Sequence, residues 1–253
     1  MRHALITAGT KGLGKKTAEH FLELGYSVTV SYRSDAESAQ RLLDAYKNSS
    51  DQIHIVKADV TLKDDLINMT NEALERFGRI DCLINNAGPY IFERKKLADT
   101  ADEEWHQMVD GNLSAVYYLL KQVIPVMRKQ KFGRIITYGY QEAGQAAGWL
   151  NRGAFSAAKA GLAALTRTVA IEEAENGITA NMICPGNIAG EMKEASISDA
   201  RKSRENSTPI GRSGTGEDIA RFIGFLCGEN SDMVTGTVTD ITGAANVIHR
   251  FRQ

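Results

Sequence analysis

The chain has 253 residues, of which 43% are apolar and 24% charged, with a formal net charge of -1. That balance suits one globular α/β domain and gives no electrostatic reason to expect nucleic-acid or membrane binding. No apolar run reaches the length of a membrane-spanning helix. The first residues, Met1 to Thr7, enter a strand pattern without a secretory h-region, so a cytoplasmic protein is expected. Cys82, Cys184 and Cys227 lie in apolar stretches without metal-like spacing, so free thiols and no metal are expected.

In chain order, strand-like runs fall at Ala4–Ala8, Val28–Tyr32, Ile53–Ala58, Ile80–Asn85, Arg134–Tyr138, Ile178–Cys184 and Thr237–Ile241. Segments of helical period separate them, for example Leu162, Leu165 and Val169. The strands are nearly continuous apolar runs, as when helices cover both sheet faces. The alternation predicts a single doubly wound α/β domain with a mostly parallel, seven-stranded sheet. Gly25, Gly78 and Gly177 each follow a helical stretch and suit left-handed caps. Residues 188–214 break the alternation with Ser, Lys, Arg and Glu, which marks a flexible substrate flap.

The first strand runs into Thr7-Ala8-Gly9-Thr10-Lys11-Gly12-Leu13-Gly14 and then a helix. Glycines there let backbone amides approach a pyrophosphate at the positive end of the helix dipole. Asp59-Val60 follows the third strand, Asn85-Asn86-Ala87-Gly88 the fourth, and Pro185-Gly186 the sixth. These motifs, in this order, resemble the short-chain dehydrogenases/reductases, and the resemblance spans about Leu5 to Val247. It is nearest the 3-oxoacyl-[acyl-carrier-protein] reductase branch, through Gly133-Arg134-Ile135, Ser156-Ala157-Ala158-Lys159-Ala160-Gly161 and Gly211-Arg212. One departure is Ala8 at the family's first glycine; another is Asn187-Ile188-Ala189-Gly190, which lacks the family's Thr after the Pro-Gly turn.

The resemblance implies a Rossmann-type fold and a dinucleotide held by Thr7, Gly9, Thr10, Lys11, Gly12, Leu13, Gly14, Tyr32, Arg33, Asp59, Val60, Asn86, Ala87, Gly88, Lys159, Pro185, Gly186 and Ile188. The second strand ends Tyr32-Arg33-Ser34 without the acid that an NAD site uses for its ribose hydroxyls. Arg33 and Lys11 suit a 2′-phosphate instead, so NADP(H) is favoured over NAD(H).

At the chemical end the resemblance assigns Asn112 and Lys159 to the family's catalytic Asn and Lys. The family's proton-donating Tyr is here Phe155, and a phenyl ring has no proton to give. Tyr140 stands in register with the family's Ser, and the stretch from 140 to 155 is two residues longer than usual. Tyr140 is therefore the expected relocated acid. Tyr138, two residues earlier on the same expected strand face, is a weaker candidate. Phe155, Tyr138, Gln141 and Trp149 are expected to line the substrate site. The expected function is NADP(H)-dependent reduction of a ketone or 3-oxoacyl-type carbonyl on a small, free or thioester-linked substrate, by a homodimer or homotetramer. The alternative is a catalytically silent NADP(H)-binding protein acting as a sensor or inactive oligomer partner.

Overall fold

A computed structural model describes residues 1–202 and 208–248. Seven strands, β1 (His3–Ile6), β2 (Ser27–Tyr32), β3 (Ile53–Lys57), β4 (Cys82–Asn85), β5 (Gly133–Tyr138), β6 (Ile178–Pro185) and β7 (Val238–Ile241), form one sheet in the order β3-β2-β1-β4-β5-β6-β7. All six pairings are parallel, where the sequence led us to expect a mostly parallel sheet. The helices are α1 (Gly12–Glu23), α2 (Ala36–Ala45), α3 (Lys63–Phe77), α4 (Asp102–Val109), α5 (Ala115–Gln130), α6 (Gly153–Glu172), α7 (Ile197–Ala200) and α8 (Gly216–Leu226).

Neighbouring strand residues feed two cores, because successive side chains leave a strand on opposite faces. Leu5, Leu83 and Ile135 pack with Met69, Val123 and Leu162 of α3, α5 and α6. Ile6, Ile84 and Ile136 pack with Phe21 and Ile223 of α1 and α8. The strand order reverses between β1 and β4, and a crevice opens beyond their carboxyl ends. The first strand ends two residues before the expected Ala8, because Ala8 itself turns with φ 51°. The cap glycines take φ of 80° at Gly25, 71° at Gly78 and 72° at Gly177. Within the expected flap lie a short 3₁₀ turn at Gly190–Lys193 and α7, while 203–207 fall outside the described residues.

The Gly133-Arg134-Ile135 phrase is structural. The Arg134 side chain is 2% exposed and donates to the carbonyls of Gly133, Gly177, Gly228 and Glu229 at 2.9–3.2 Å. Phe132 lies under its guanidinium at 4.2 Å. It thus ties β5 to the chain leaving α8.

His3 is fully buried on β1, stacked on Phe77 at 4.4 Å with its Nδ1 3.1 Å from Ser27 Oγ. Burial pulls its imidazole down to about 4, against a partial upward pull from Asp81. Between pH 6.5 and about 4 the unfolded chain binds a proton that the folded chain refuses. Stability is therefore present above the unfolded value and is lost as pH falls through that window. Urea unfolding midpoints should drop across it, and His3→Gln should flatten that part of the curve; an equally steep curve in the variant would place the acid sensitivity elsewhere.

Candidate active site

The site is built where β1 and β4 end side by side. Asn86 Nδ2 donates to the carbonyls of Thr7 (3.0 Å) and Ala8 (3.1 Å), and the Ala87 amide donates to Thr7 Oγ1 at 2.8 Å. The Ala8 amide donates to Ser31 Oγ at 3.0 Å, which ties the same loop to β2. A side chain on Gly14 would collide with the Ala8 carbonyl oxygen and stand 2.6 Å from Asn86 Nδ2, so only glycine fits there. Ala8 holds the left-handed backbone of the missing glycine, a conformation that costs an L residue about 1–2 kcal/mol. The turn survives the extra methyl group.

A cleft of about 310 Å³ beyond this loop is lined by Ala8, Thr10, Lys11, Ser31–Asp35, Ala58–Thr61 and Ala87–Pro89. It gathers Thr10, Lys11, Tyr32, Arg33, Asp59, Val60, Ala87 and Gly88 of the sequence assignment; Gly9, Gly12, Leu13 and Gly14 form the loop and helix start behind it. The Asp59 carboxylate accepts from the Thr61 amide and hydroxyl at 2.9 and 2.8 Å. The exposed ammonium of Lys11 pairs with Asp35 at 3.0 Å. Asp35 also caps α2 through the Ser38 amide, and its carboxyl is held down to about 2 by that hydrogen bond, by Lys11 and by the Ser38 hydroxyl.

An acid that sequence reasoning missed sits at the start of α1. Glu194 accepts from the Gly12 amide at 2.7 Å and from Lys15 Nζ at 2.6 Å. A helix N-terminus favours an anion. Burial raises this carboxyl's pKa, but Lys15 and Gly12 outweigh it and hold the group below its usual value.

The chemical end lies on the other side of Gly88. Residues Asp110–Ser114 form a π turn that joins α4 to α5, and Asn112 is fully buried in it. Such turns widen a helix and re-aim a side chain. Both Asn112 Nδ2 protons are used, on Pro89 O at 2.9 Å and Met108 O at 3.0 Å. Its Oδ1 is thereby turned the other way, where it is buried without a hydrogen-bond partner among the described residues. A side chain on Gly88 would collide with this Oδ1 and come within 3.5 Å of Lys159 Nζ. Lys159 of α6 is 5% exposed, with Nζ 5.7 Å from the Phe155 ring centre. Burial lowers its pKa to about 8, partly opposed by Cys184.

A second cleft of about 580 Å³ opens at Phe155, between the end of β5, the Pro185–Ile188 turn and the 90–94 loop. Phe155, Tyr140, Gln141, Trp149, Pro185, Gly186 and Ile188 line it. So do Tyr90 and Arg152, which the sequence reading left out. Tyr90 meets Phe155 edge-on at 5.0 Å, and Arg152 Nε donates to the Tyr90 hydroxyl at 2.6 Å. The other Arg152 nitrogens donate to the carbonyls of Phe92, Glu93 and Asn151, which pins the loop in place. The signal for Tyr90 was its position directly after Asn-Asn-Ala-Gly-Pro.

Two further expectations are corrected. Tyr138 and Tyr140 do not share a face, because β5 ends at Tyr138 and strand alternation stops with it. Tyr138 packs in the α1–α8 core, away from the second cleft, and burial pushes its phenol well above the usual range. Tyr140 packs in the opposite core, stacked on Trp149 at 5.5 Å. Its hydroxyl donates to the Ala147 carbonyl rather than standing free to face Lys159. The longer 141–152 segment supplies that acceptor. Among the described residues no three His, Cys, Asp or Glu side chains gather as a metal site, and no helix is long and apolar enough to cross a membrane.

This geometry agrees with what the chain is similar to. A family model described as "Enoyl-(Acyl carrier protein) reductase" matches residues 7–244. "Putative oxidoreductase YtkK" of Bacillus subtilis (strain 168) is 66% identical over 251 residues, covering 99% of this chain and 98% of the relative. The 3-oxoacyl-[acyl-carrier-protein] reductase FabG of Staphylococcus epidermidis is 31% identical over 242 residues, covering 96% of this chain and 98% of that protein. A solved structure from Bacillus thuringiensis described as a "putative 3-oxoacyl-reductase" is 59% identical with a TM-score of 0.93, over 98% of this chain and all of that one. The chain belongs to the short-chain dehydrogenase/reductase family, near its 3-oxoacyl reductase branch, and is an oxidoreductase of that type.

Membership implies a nicotinamide dinucleotide, and the residues present fit one. Gly14 lets the glycine cradle pack, with the Ala8 carbonyl and Asn86, against the N-terminus of α1, where a pyrophosphate is favoured, and Asn112 Oδ1 beside Gly88 offers an acceptor at the other end. Glu194 occupies an amide of that cradle with a negative charge. Glu194→Gln should therefore tighten dinucleotide binding by about three- to tenfold at low salt, read by fluorescence titration, with the gain shrinking as salt screens it. Weaker binding in the variant would mean that Glu194 serves to hold the cradle's shape.

Proposed function

We propose that the chain reduces a ketone or 3-oxoacyl-type carbonyl of a small, free or thioester-linked substrate with NADP(H). The observation that carries this reading is that Asn112 and Lys159 flank the Gly88 turn of the dinucleotide cleft, with Lys159 Nζ 5.7 Å from the ring of Phe155, which lines the aromatic-walled cleft. The bound dinucleotide, when reduced, supplies a hydride to the carbonyl carbon. The chain's residues do the rest. Thr7, Asn86 and Gly14 hold the pyrophosphate loop in shape, and Lys159 and Asn112 present a cation and an acceptor at the far end. Tyr90, Trp149 and Phe155 give the substrate an apolar wall. The 3-oxoacyl reductases among the relatives support the substrate class.

The preference for NADP(H) rests on Arg33. It is exposed in the dinucleotide cleft and makes no ion pair among the described residues. The nearby acid, Asp35, is committed to Ser38 and Lys11, so it does not stand ready for ribose hydroxyls. Exposed apolar groups on α5, α6 and α8 (Tyr117, Ile171, Phe225) support a homo-oligomer, and the segment 188–214 is read as the flap over the substrate. The expected setting is the cytoplasm.

A second reading, a silent NADP(H) binder, is favoured by Phe155 itself. A positioned general acid is worth roughly 10²–10⁴-fold in rate. NADPH oxidation against ketones and 3-oxoacyl thioesters separates the two. The reductase reading expects slow wild-type turnover that Phe155→Tyr raises by about 10²-fold; turnover in the variant alone would mean a binder that has lost its catalyst. Arg33→Ser should weaken NADPH binding about tenfold, roughly 1.4 kcal/mol, and leave NADH binding unchanged. An equal loss for both dinucleotides would remove the case for a 2′-phosphate site.

A further inference from the structure

In the proposed reduction the carbonyl oxygen must take up a proton, and three observations narrow its source. Phe155 has none to give. Tyr140 gives its own to the Ala147 carbonyl. The Tyr90 hydroxyl in the cleft accepts from Arg152 Nε at the 90–94 loop and keeps its own proton, so Tyr90 and Lys159 are the two candidates. The Lys159 side chain is 5% exposed and makes no hydrogen bond or ion pair among the described residues, so a ligand or water has to complete its ammonium. The Asn112 Oδ1, buried with no hydrogen-bond partner among the described residues, abuts the same turn at Gly88, so a donor and an acceptor border one space. Nζ also lies over the ring whose missing hydroxyl would have been the acid.

Resting on the reductase reading, we infer that Lys159 is the proton donor of this enzyme, taking over the role that the family gives to the tyrosine at position 155. An N–H bond of the ammonium breaks and the O–H bond of the product alcohol forms as hydride reaches the carbonyl carbon. The neutral amine then regains a proton from solvent through water held by Asn112 Oδ1. A buried lysine suits this work, because loss of hydration makes its ammonium a stronger acid. The titratable groups facing Nζ are Cys184 on β6 and, behind it, Asp240 on β7. Burial pushes the Cys184 thiol up to about 12, so it stays protonated in the working range; burial likewise raises the Asp240 carboxyl.

The test compares wild type, Lys159→Arg and Lys159→Ala in NADPH oxidation, with NADPH binding followed separately by fluorescence. Arginine keeps the positive charge but is far too weak an acid to give up a proton. Lys159→Arg should bind NADPH within a few-fold of wild type yet lose about 10³-fold in kcat. Lys159→Ala should regain turnover with added primary amines, at rates that rise as the ammonium becomes more acidic. Wild-type kcat should fall as pH rises through about 8. Lys159→Arg with near-wild-type kcat would overturn the inference while leaving the reductase reading intact. So would full NADPH binding but no amine rescue in Lys159→Ala. Absence of wild-type turnover on every carbonyl, with NADPH still bound, would overturn the reductase reading and the inference with it.

Discussion

The site depends on one strap of hydrogen bonds between the ends of β1 and β4. Asn86 donates to the carbonyls of Thr7 and Ala8 and the Ala87 amide to the Thr7 hydroxyl, which closes the glycine loop against the neighbouring strand. The residues that follow Asn86 are then fixed in place. Gly88 presents a bare backbone, and the Pro89 carbonyl accepts from Asn112. The Asn112 amide is thereby oriented, which leaves its oxygen beside Lys159. The candidate dinucleotide cradle and the candidate pair Asn112 and Lys159 are organised by the same four residues after one strand. The parallel sheet makes this possible, because both strand ends open into one crevice where the strand order reverses.

Around that strap the chain departs from its family in a connected way. Phe155 lacks the phenol, and the space in front of it is closed by an aromatic group of Tyr90, Tyr140 and Trp149 with ring centres 5.0–6.4 Å apart. The lengthened 141–152 segment supplies both Trp149 and the carbonyl that holds Tyr140. Arg152, at its end, clamps the loop that carries Tyr90. The lost hydroxyl and the remodelled loop are thus two parts of one apolar wall. Lys159 is left buried against it, and the low polarity of that wall weakens the ammonium's hold on its proton.

Most of the fold was legible because its signals are local. Apolar runs gave seven strands within two residues at most boundaries, and glycines at 25, 78 and 177 marked caps that only a positive φ explains. The dinucleotide motifs were legible for the same reason, since each is a short turn after a strand. Errors came where an inference was carried past the element that licensed it. Alternation was extended from Tyr138 to Tyr140 across Gly139, where the strand had ended. The Lys11–Asp35 pair was not legible, because Asp35 sits 24 positions later at a helix cap. Glu194 was invisible as a cradle ligand because 182 residues separate it from Gly12.

By itself, the sequence determined the layered sheet, the dinucleotide cradle, the identity of Lys159 and Asn112 as candidates, and the absence of a phenol at Phe155. Each follows from residue type and short-range spacing, which persist however the chain is folded. Only the tertiary structure decided which charges are paired, which hydroxyl is engaged and which polar atoms are left alone. Those are properties of side chains meeting across distant segments. Whether Lys159 is an exposed cation or a desolvated acid depends on what α6 is packed against, and no stretch of sequence around it carries that information.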